Sequence, residues 1–425
     1  MLFSPEFVLL PFDWNLFLYG AGVAAGVAGL ASVFAHERQT DIDLDDVKKQ
    51  VAELEALPAR TLEQNDDLAA LYAAWANVLF DDPDSELTEI AELFGKSEAI
   101  LQATLAQGED AVIRQQLGVV YLAWGVAHSD FGDPESAVEY YLKAVEVLKP
   151  LDESGDGEAK YDIAGIKLNL GIAYREMDDL ENAKTNLQES FLEYRACEKI
   201  GDLDTRFYMA TVSVQQGNLL HEMGEPVESV VDAYNRAMRL FVEVIEDQQE
   251  TKLERELANV LLDRSMVTYE NWLEQKFDSL EEQKKIISDV LLDISRGIEL
   301  LEKQLNEGNE LARFDLFHAL AMHGKVWCDA EDFTEAQKSL DRAINEFADL
   351  CEDGDEFLFQ MALVYADRAL VHKLLGNKEL SEQDCLKGSE LIDAWSQQAD
   401  SDDEEIQELR QQFQALLDQL DELSD

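Results

Sequence analysis

A short turn phrase recurs along this chain, and no other feature restricts its fold as severely. FDDP ends at Pro83, FGDP at Pro134, MDDL at Leu180 and MGEP at Pro226, with looser copies EQKF at Phe277, AEDF at Phe333 and LGNK at Lys378. The spacings are 51, 46, 46, 51, 56 and 45 residues. Self-similarity at such a period marks a repeat array, in which each copy is one small unit that buries its apolar face only by stacking on the next. Three of the seven prolines fill the same slot of the phrase. Proline suits the first turn of a helix, where its missing N–H is not needed. The phrase therefore reads as a junction between two helices.

The flanking residues agree. In the clearest copies a small residue before the turn and another after it are twelve apart, followed by steps of four and three. These are Gly125, Ala137, Tyr141 and Ala144; Gly171, Ala183, Leu187 and Ser190; and Gly324, Ala336, Leu340 and Ala343. Two antiparallel helices that cross closely need small side chains where their backbones meet and larger ones beside them. Nothing in the chain alternates strand with helix, so the expected class is all-α.

This pattern resembles the tetratricopeptide repeat family, whose first helix carries W-x-x-L-G-x-x-Y and whose second carries A-x-x-x-F-x-x-A. The match is good around Gly125, Gly171, Gly217 and Gly324 and covers roughly residues 61–396. The period departs from the family's usual length of about 34 residues, which looks like longer helices, similar to the repeats of kinesin light chains. The copies around Pro83 and Phe277 are degenerate. The resemblance implies a right-handed α-solenoid of about seven stacked helix-turn-helix repeats, with the first helix of each lining a concave groove for a protein or peptide. Inward positions counted from each small residue would include Asn169, Arg175, Glu176, Gln215, Asn218, His221, Glu222, Lys325, Asp367 and Lys373. Asn169, Gln215 and Asn218 could hydrogen-bond a ligand's backbone; the bland alternative is that such residues are solvated. A clamp for a C-terminal carboxylate, found in chaperone-binding members of that family, needs a basic cluster that this surface lacks.

Ahead of the array, residues 1–15 are largely apolar and Leu16 to Ala35 are 20 uncharged residues. A helix of that length spans about 30 Å, the thickness of a bilayer core. Gly22 and Gly26, with Ala25 and Gly29, are small-x-x-x-small steps that let membrane helices approach. Arg38, Lys48 and Lys49 follow the span while no basic residue precedes it, which places the repeats on the cytoplasmic side. The alternatives are a buried Gly/Ala-rich cap on a soluble cytoplasmic chain and a dinucleotide turn around Gly20, Gly22 and Gly26. The latter lacks the strand and acidic residue it needs. Residues 36–60 form an acidic linker with a short helix over Asp43 to Leu57, and Thr61 to Gln64 is a capping-box start. Residues 397–404 are a polar break. Over 405–425, Ile406, Leu409, Phe413, Leu416, Leu420 and Leu423 give an apolar stripe suited to a terminal cap or a coiled-coil seam.

The chain sets 90 Asp+Glu against 34 Lys+Arg, a formal charge of −56. That excludes phosphate-neutralising nucleic-acid binding and favours basic or mixed-charge partners. Cys197, Cys328, Cys351 and Cys385 are scattered, which reads as reduced, buried thiols. Gly95-Lys96-Ser97 lacks the earlier glycine of a phosphate loop, His221-Glu222 lacks a second zinc-binding His, and His318 and His323 are five apart. No catalytic motif, metal or cofactor is expected. The functions left are an interaction scaffold tethered through residues 16–35, a self-associating organiser, or a soluble regulatory module with a buried N-terminus.

Overall fold

A computed structural model describes residues 44–82, 85–108, 110–197, 205–248, 251–274, 279–353, 355–399 and 404–422. The apolar segment 16–35, with Gly22, Ala25, Gly26 and Gly29, lies outside the described residues, as do Pro83, Phe277 and Ser401. Two compact units divide between Ser229 and Val230. The first holds α1 (Leu44–Glu55), α2 (Leu62–Phe80), α3 (Leu87–Leu105), α4 (Ala111–Asp130), α5 (Pro134–Glu153), α6 (Gly157–Glu176), α7 (Leu180–Cys197) and α8 (Arg206–Glu222). The division falls within α9 (Val227–Gln248). Beyond it come α10 (Glu254–Glu274), α11 (Leu280–Asn306), α12 (Ala312–Asp329), α13 (Phe333–Phe347), the single turn α14 (Leu350–Asp353), α15 (Asp355–Leu374), α16 (Lys378–Ala399) and α17 (Glu404–Glu422). There is no strand among the described residues, and the fold class is all-α, as the periodicity predicts.

Within the first unit α2 packs on α3, α4 on α5 and α6 on α7, and each hairpin packs on the next through α3–α4, α5–α6 and α7–α8. The first helices also touch one another directly, α2 with α4, α4 with α6 and α6 with α8. The second unit repeats the arrangement with α10 on α11, α12 on α13 and α15 on α16, while α10 meets α12 and α12 meets α15. In each unit the first helices therefore lie side by side along one face.

The turn phrase now has a physical explanation. Gly132, Asp178, Gly224, Glu331 and Gly376 occupy the same slot and have φ of 76°, 59°, 65°, 63° and 80°. This left-handed residue ends the first helix. The amide after it reaches back to the carbonyl five residues earlier, as Asp133 N to His128 O, Asp179 N to Tyr174 O and Asp332 N to Trp327 O. The next residue caps the second helix: Asp133, Asp179 and Asp332 accept from the amides of Ser136, Asn182 and Glu335, each cap being worth about 1 kcal/mol. Pro134 is the first residue of α5, whereas Pro226 stands just ahead of α9, which starts at Val227.

The twelve-residue spacing is equally physical. A Cβ added at Gly125 would lie 2.5 Å from the Tyr141 ring and 3.2 Å from the Ala137 carbonyl oxygen. At Gly171 the neighbours are Leu187 and the Ala183 carbonyl, and at Gly324 they are Leu340 and the Ala336 carbonyl. The glycine is where the two backbones cross. Serines tie hairpins as well: Ser97, Ser190 and Ser381 each donate a buried hydrogen bond to a first-helix carbonyl, of Ala69, Ala164 and Ala369.

Both ends of the described chain are packed onto their neighbours. Val47 and Val51 of α1 are buried against α2, and Thr61 with Gln64 makes the reciprocal capping box. At the far end Ile406, Leu409, Phe413 and Leu420 of α17 are buried with Ala362, Ala366, Ala369, Cys385 and Ile392. The stripe that would serve a coiled-coil seam is thus packed onto α15 and α16 of the same chain.

Candidate functional site

Polar side chains collect on the first helices of both units. In the first unit Asn169 is buried on α6, and at the end of that helix Arg175 is buried as well. Arg175 donates to the Gln215 side-chain oxygen at 2.7 Å and lies 3.4 Å from Glu222, both on α8. Arg175, Gln215 and Glu222, expected from sequence as inward groove positions, form a bridge between adjacent repeats. Asn218 and His221 follow on α8. Further along the same face Gln115 of α4 donates to Asp162 of α6.

Asp130, Glu176 and Glu222 are the last residues of α4, α6 and α8 and stand 46 residues apart in turn. They make a row of carboxylates, one per repeat. Burial pushes the Asp130 carboxyl up to about 6, and burial together with Asp130 raises that of Glu176, with Arg175 opposing. Both residues are exposed to solvent, which tempers these shifts. Asp130 was absent from the residues proposed from sequence. The signal that would have found it is its place one repeat ahead of Glu176.

In the second unit Arg255 of α10 donates to Asp315 of α12 at 2.6 Å, with Asn259 adding a bond of 3.3 Å to the same oxygen. Lys325 lies 3.9 Å from Asp329, whose carboxylate also accepts from the Tyr269 hydroxyl. Burial works against the Lys325 ammonium, but the Asp367 and Asp329 carboxylates outweigh it and hold its pKa above the ordinary lysine value. Burial pushes Asp367 up to about 6 against the opposing pull of Lys325. Asp263 of α10 is pushed up to about 7 by burial and then by Asp315. Lys325 and Asp367 are therefore brought together from α12 and α15. Lys373 is not part of that group: its ammonium donates to Gln419 of α17. Neither Asp263 nor Asp315 was read from sequence; for Asp263 the reason is that the copy containing α10 has a degenerate turn phrase and gave no register.

The remaining reactive side chains have structural partners. His318 pairs with Gln360 on α15, whereas His323 pairs with Ser339 on α13, so the two imidazoles serve different contacts. All four cysteines are free, and burial raises each thiol. Among the described residues no group of three His, Cys, Asp or Glu is placed to hold a metal ion. Nor is any described helix long and apolar enough to cross a membrane.

The family described as Tetratricopeptide repeat matches residues 119–147, the second half of α4 and most of α5. No curated protein matches the sequence. Among solved structures, a Signal Transduction ATPase with Numerous Domains (STAND) protein with a tetratricopeptide repeat sensor, from Pyrococcus horikoshii, superposes with a TM-score of 0.54 at 14% identity. The match covers 95% of this chain and 55% of that one. The apo quorum sensor NprR from B. thuringiensis gives 0.48 at 12% identity over 96% of this chain and 99% of that one. BtubC from P. vanneervenii gives 0.47 at 16% identity, over 62% and 91%.

Proposed function

We propose that this stack of tetratricopeptide-like repeats is a non-catalytic interaction module that holds a basic or mixed-charge protein segment along its first-helix faces. The observation that carries the proposal is the recurrence of carboxylates on those faces. Asp130 and Glu176 in one unit, and Asp263 and Asp367 in the other, are raised above the ordinary carboxyl range by burial. A partly desolvated carboxylate is stabilised by an arriving cation, and a chain of formal charge −56 attracts cations from a distance. Asn169, Gln215 and Asn218 carry side-chain amides on these helices, a chemistry suited to the backbone of an extended peptide.

An array of capped peptides of varied charge tests this at low and high salt. Basic peptides should be retained at low salt and lost as salt rises, and Asn169→Ala combined with Gln215→Ala should weaken all of them. Retention indifferent to peptide charge and to those substitutions would sink the proposal.

How the module is placed in the cell is a separate matter. The 20 uncharged residues from Leu16 to Ala35 support a membrane tether. Alkaline extraction distinguishes it from a soluble regulatory module: a tethered chain resists washing, and one lacking residues 1–40 does not. If both wash off equally, the soluble reading stands. Self-association through α17 has lost its free stripe to α15 and α16.

A further inference from the structure

The first residue of the turn phrase carries a pattern that the hairpins do not need. In the first unit it is Phe80, Phe131, Met177 and Met223 in turn. Phe80 is the last residue of α2, and the others directly follow α4, α6 and α8. Helices joined by short turns run antiparallel, so the four first helices run parallel and these side chains stand along one edge of the unit. Phe131 is 45% exposed and Met177 37%, while Phe80 and Met223 are half-buried. Exposed apolar residues scattered singly need no explanation, but one per repeat in a row marks a surface that something covers.

α1 brings a cover to that edge. Glu55, its last residue, accepts from the Tyr72 hydroxyl of α2, and the Lys48 ammonium stands 5.2 Å from the centre of the Trp75 ring. α1 thus runs antiparallel to α2, and Leu44, one turn before Lys48, leads the preceding chain toward Phe80. That preceding chain holds the apolar stretch 16–35. Wound as a helix, it would put Leu16, Tyr19, Val23, Val27, Leu30 and Phe34 in one stripe, with Ala21, Ala25, Ala28 and Ser32 opposite. A span surrounded by lipid has no use for a one-sided stripe, whereas a helix seated on a protein surface needs one.

We infer that residues 16–35 lie as a helix across Phe80, Phe131, Met177 and Met223, with Phe34 at the α2 end and Tyr19 toward α8. The lengths agree. A helix of those 20 residues is about 30 Å long, and four first helices in contact, with axes about 8–10 Å apart, make a row of about 24–30 Å. Residues 36–43, extended at about 3.3 Å each, span about 26 Å, ample to bring Ala35 beside Phe80. The seat rests on the soluble reading of residues 16–35 and is separate from the peptide-holding function.

The test places a photoreactive benzophenone side chain at Phe34, Tyr19 or Ala25 of the full chain, one at a time, and maps the adducts by mass spectrometry. From position 34 it is expected to label residues around Phe80 and Phe131, and from position 19 those around Met177 and Met223. From position 25, on the far side of the helix, the yield should be about fivefold lower. Phe131→Ser combined with Met177→Ser should cut the yield from position 19 by about the same factor, with circular dichroism showing the helices intact. Labelling of lipid, of a second copy or of the second unit overturns the seat. So do equal yields from all three positions, no adduct at all, or yields that the serine variant leaves unchanged. A chain that resists alkaline washing and labels lipid takes the soluble reading down with the seat. One that washes off without labelling this edge loses the seat alone. Capture of basic peptides, read separately, is unaffected by either result.

Discussion

At the scale of single residues, the effect of burial on an acid is clearest at Asp263, where a neighbouring carboxylate adds to it. Its carboxyl rises from an ordinary 3.8 to about 7, burial being the chief cause. Between those values the folded chain keeps a proton that the unfolded chain has lost, so the stability contributed by this residue falls as pH climbs through that window. Asp263→Asn removes the charge and keeps the shape. It should raise the thermal midpoint at pH 8 and barely move it at pH 5; equal shifts at both would show that the carboxyl is not raised. Such a residue was invisible in the sequence, where one Asp among 90 acids carries no mark of its surroundings. Residues with backbone duties were visible. Gly132, Gly224 and Gly376 stand out in the turn phrase because the chain must turn left-handed there. Asp178 and Glu331 take the same conformation without a glycine and could be placed only by counting repeats.

At the scale of helices, the hairpins were legible because their spacing is set by contact: Gly125, Gly171 and Gly324 mark where backbones cross. The role of α17 was legible only as a preference. Its apolar stripe reads in sequence as a terminal cap with a coiled-coil seam as the alternative, and packing is what distinguishes them. Phe413 is 1% exposed and lies against Gly388, where an added Cβ would sit 2.1 Å from its ring. Phe413→Ala should therefore cost about 3–5 kcal/mol, read by urea unfolding. A loss under about 1 kcal/mol would mean that α17 is only loosely seated. Arg175 teaches a related lesson. Sequence placed it with Gln215 and Glu222 on a common face, but not that the three bond to each other. Pairing across helices depends on rotamers that a repeat register does not specify.

For the molecule as a whole, the excess of acid is a cost as well as a lure. Many surface carboxylates do have partners, such as Glu92 with Lys96 and Glu139 with Lys143, and exposed pairs of this kind add little. With 90 acids and 34 basic residues most cannot be paired, and like charges repel across both units. Screening relieves that repulsion. Raising sodium chloride from about 50 mM to about 1 M should lift the thermal midpoint by about 5 °C, while weakening capture of basic peptides. A midpoint that stays flat or drops would mean that self-repulsion is already balanced.

The row formed by Asp130, Glu176 and Glu222 has an implication for how such a chain can vary. Each acid closes a first helix, and each helix is ended by the same left-handed turn. One residue inserted into α6 would rotate Glu176 by about 100° and throw it out of phase with its neighbours. A whole copied unit would instead arrive in phase and lengthen the row by one tooth. The length of the row and the chemistry it presents are thus separately adjustable: one by the number of units, the other by the side chain at a single recurring position.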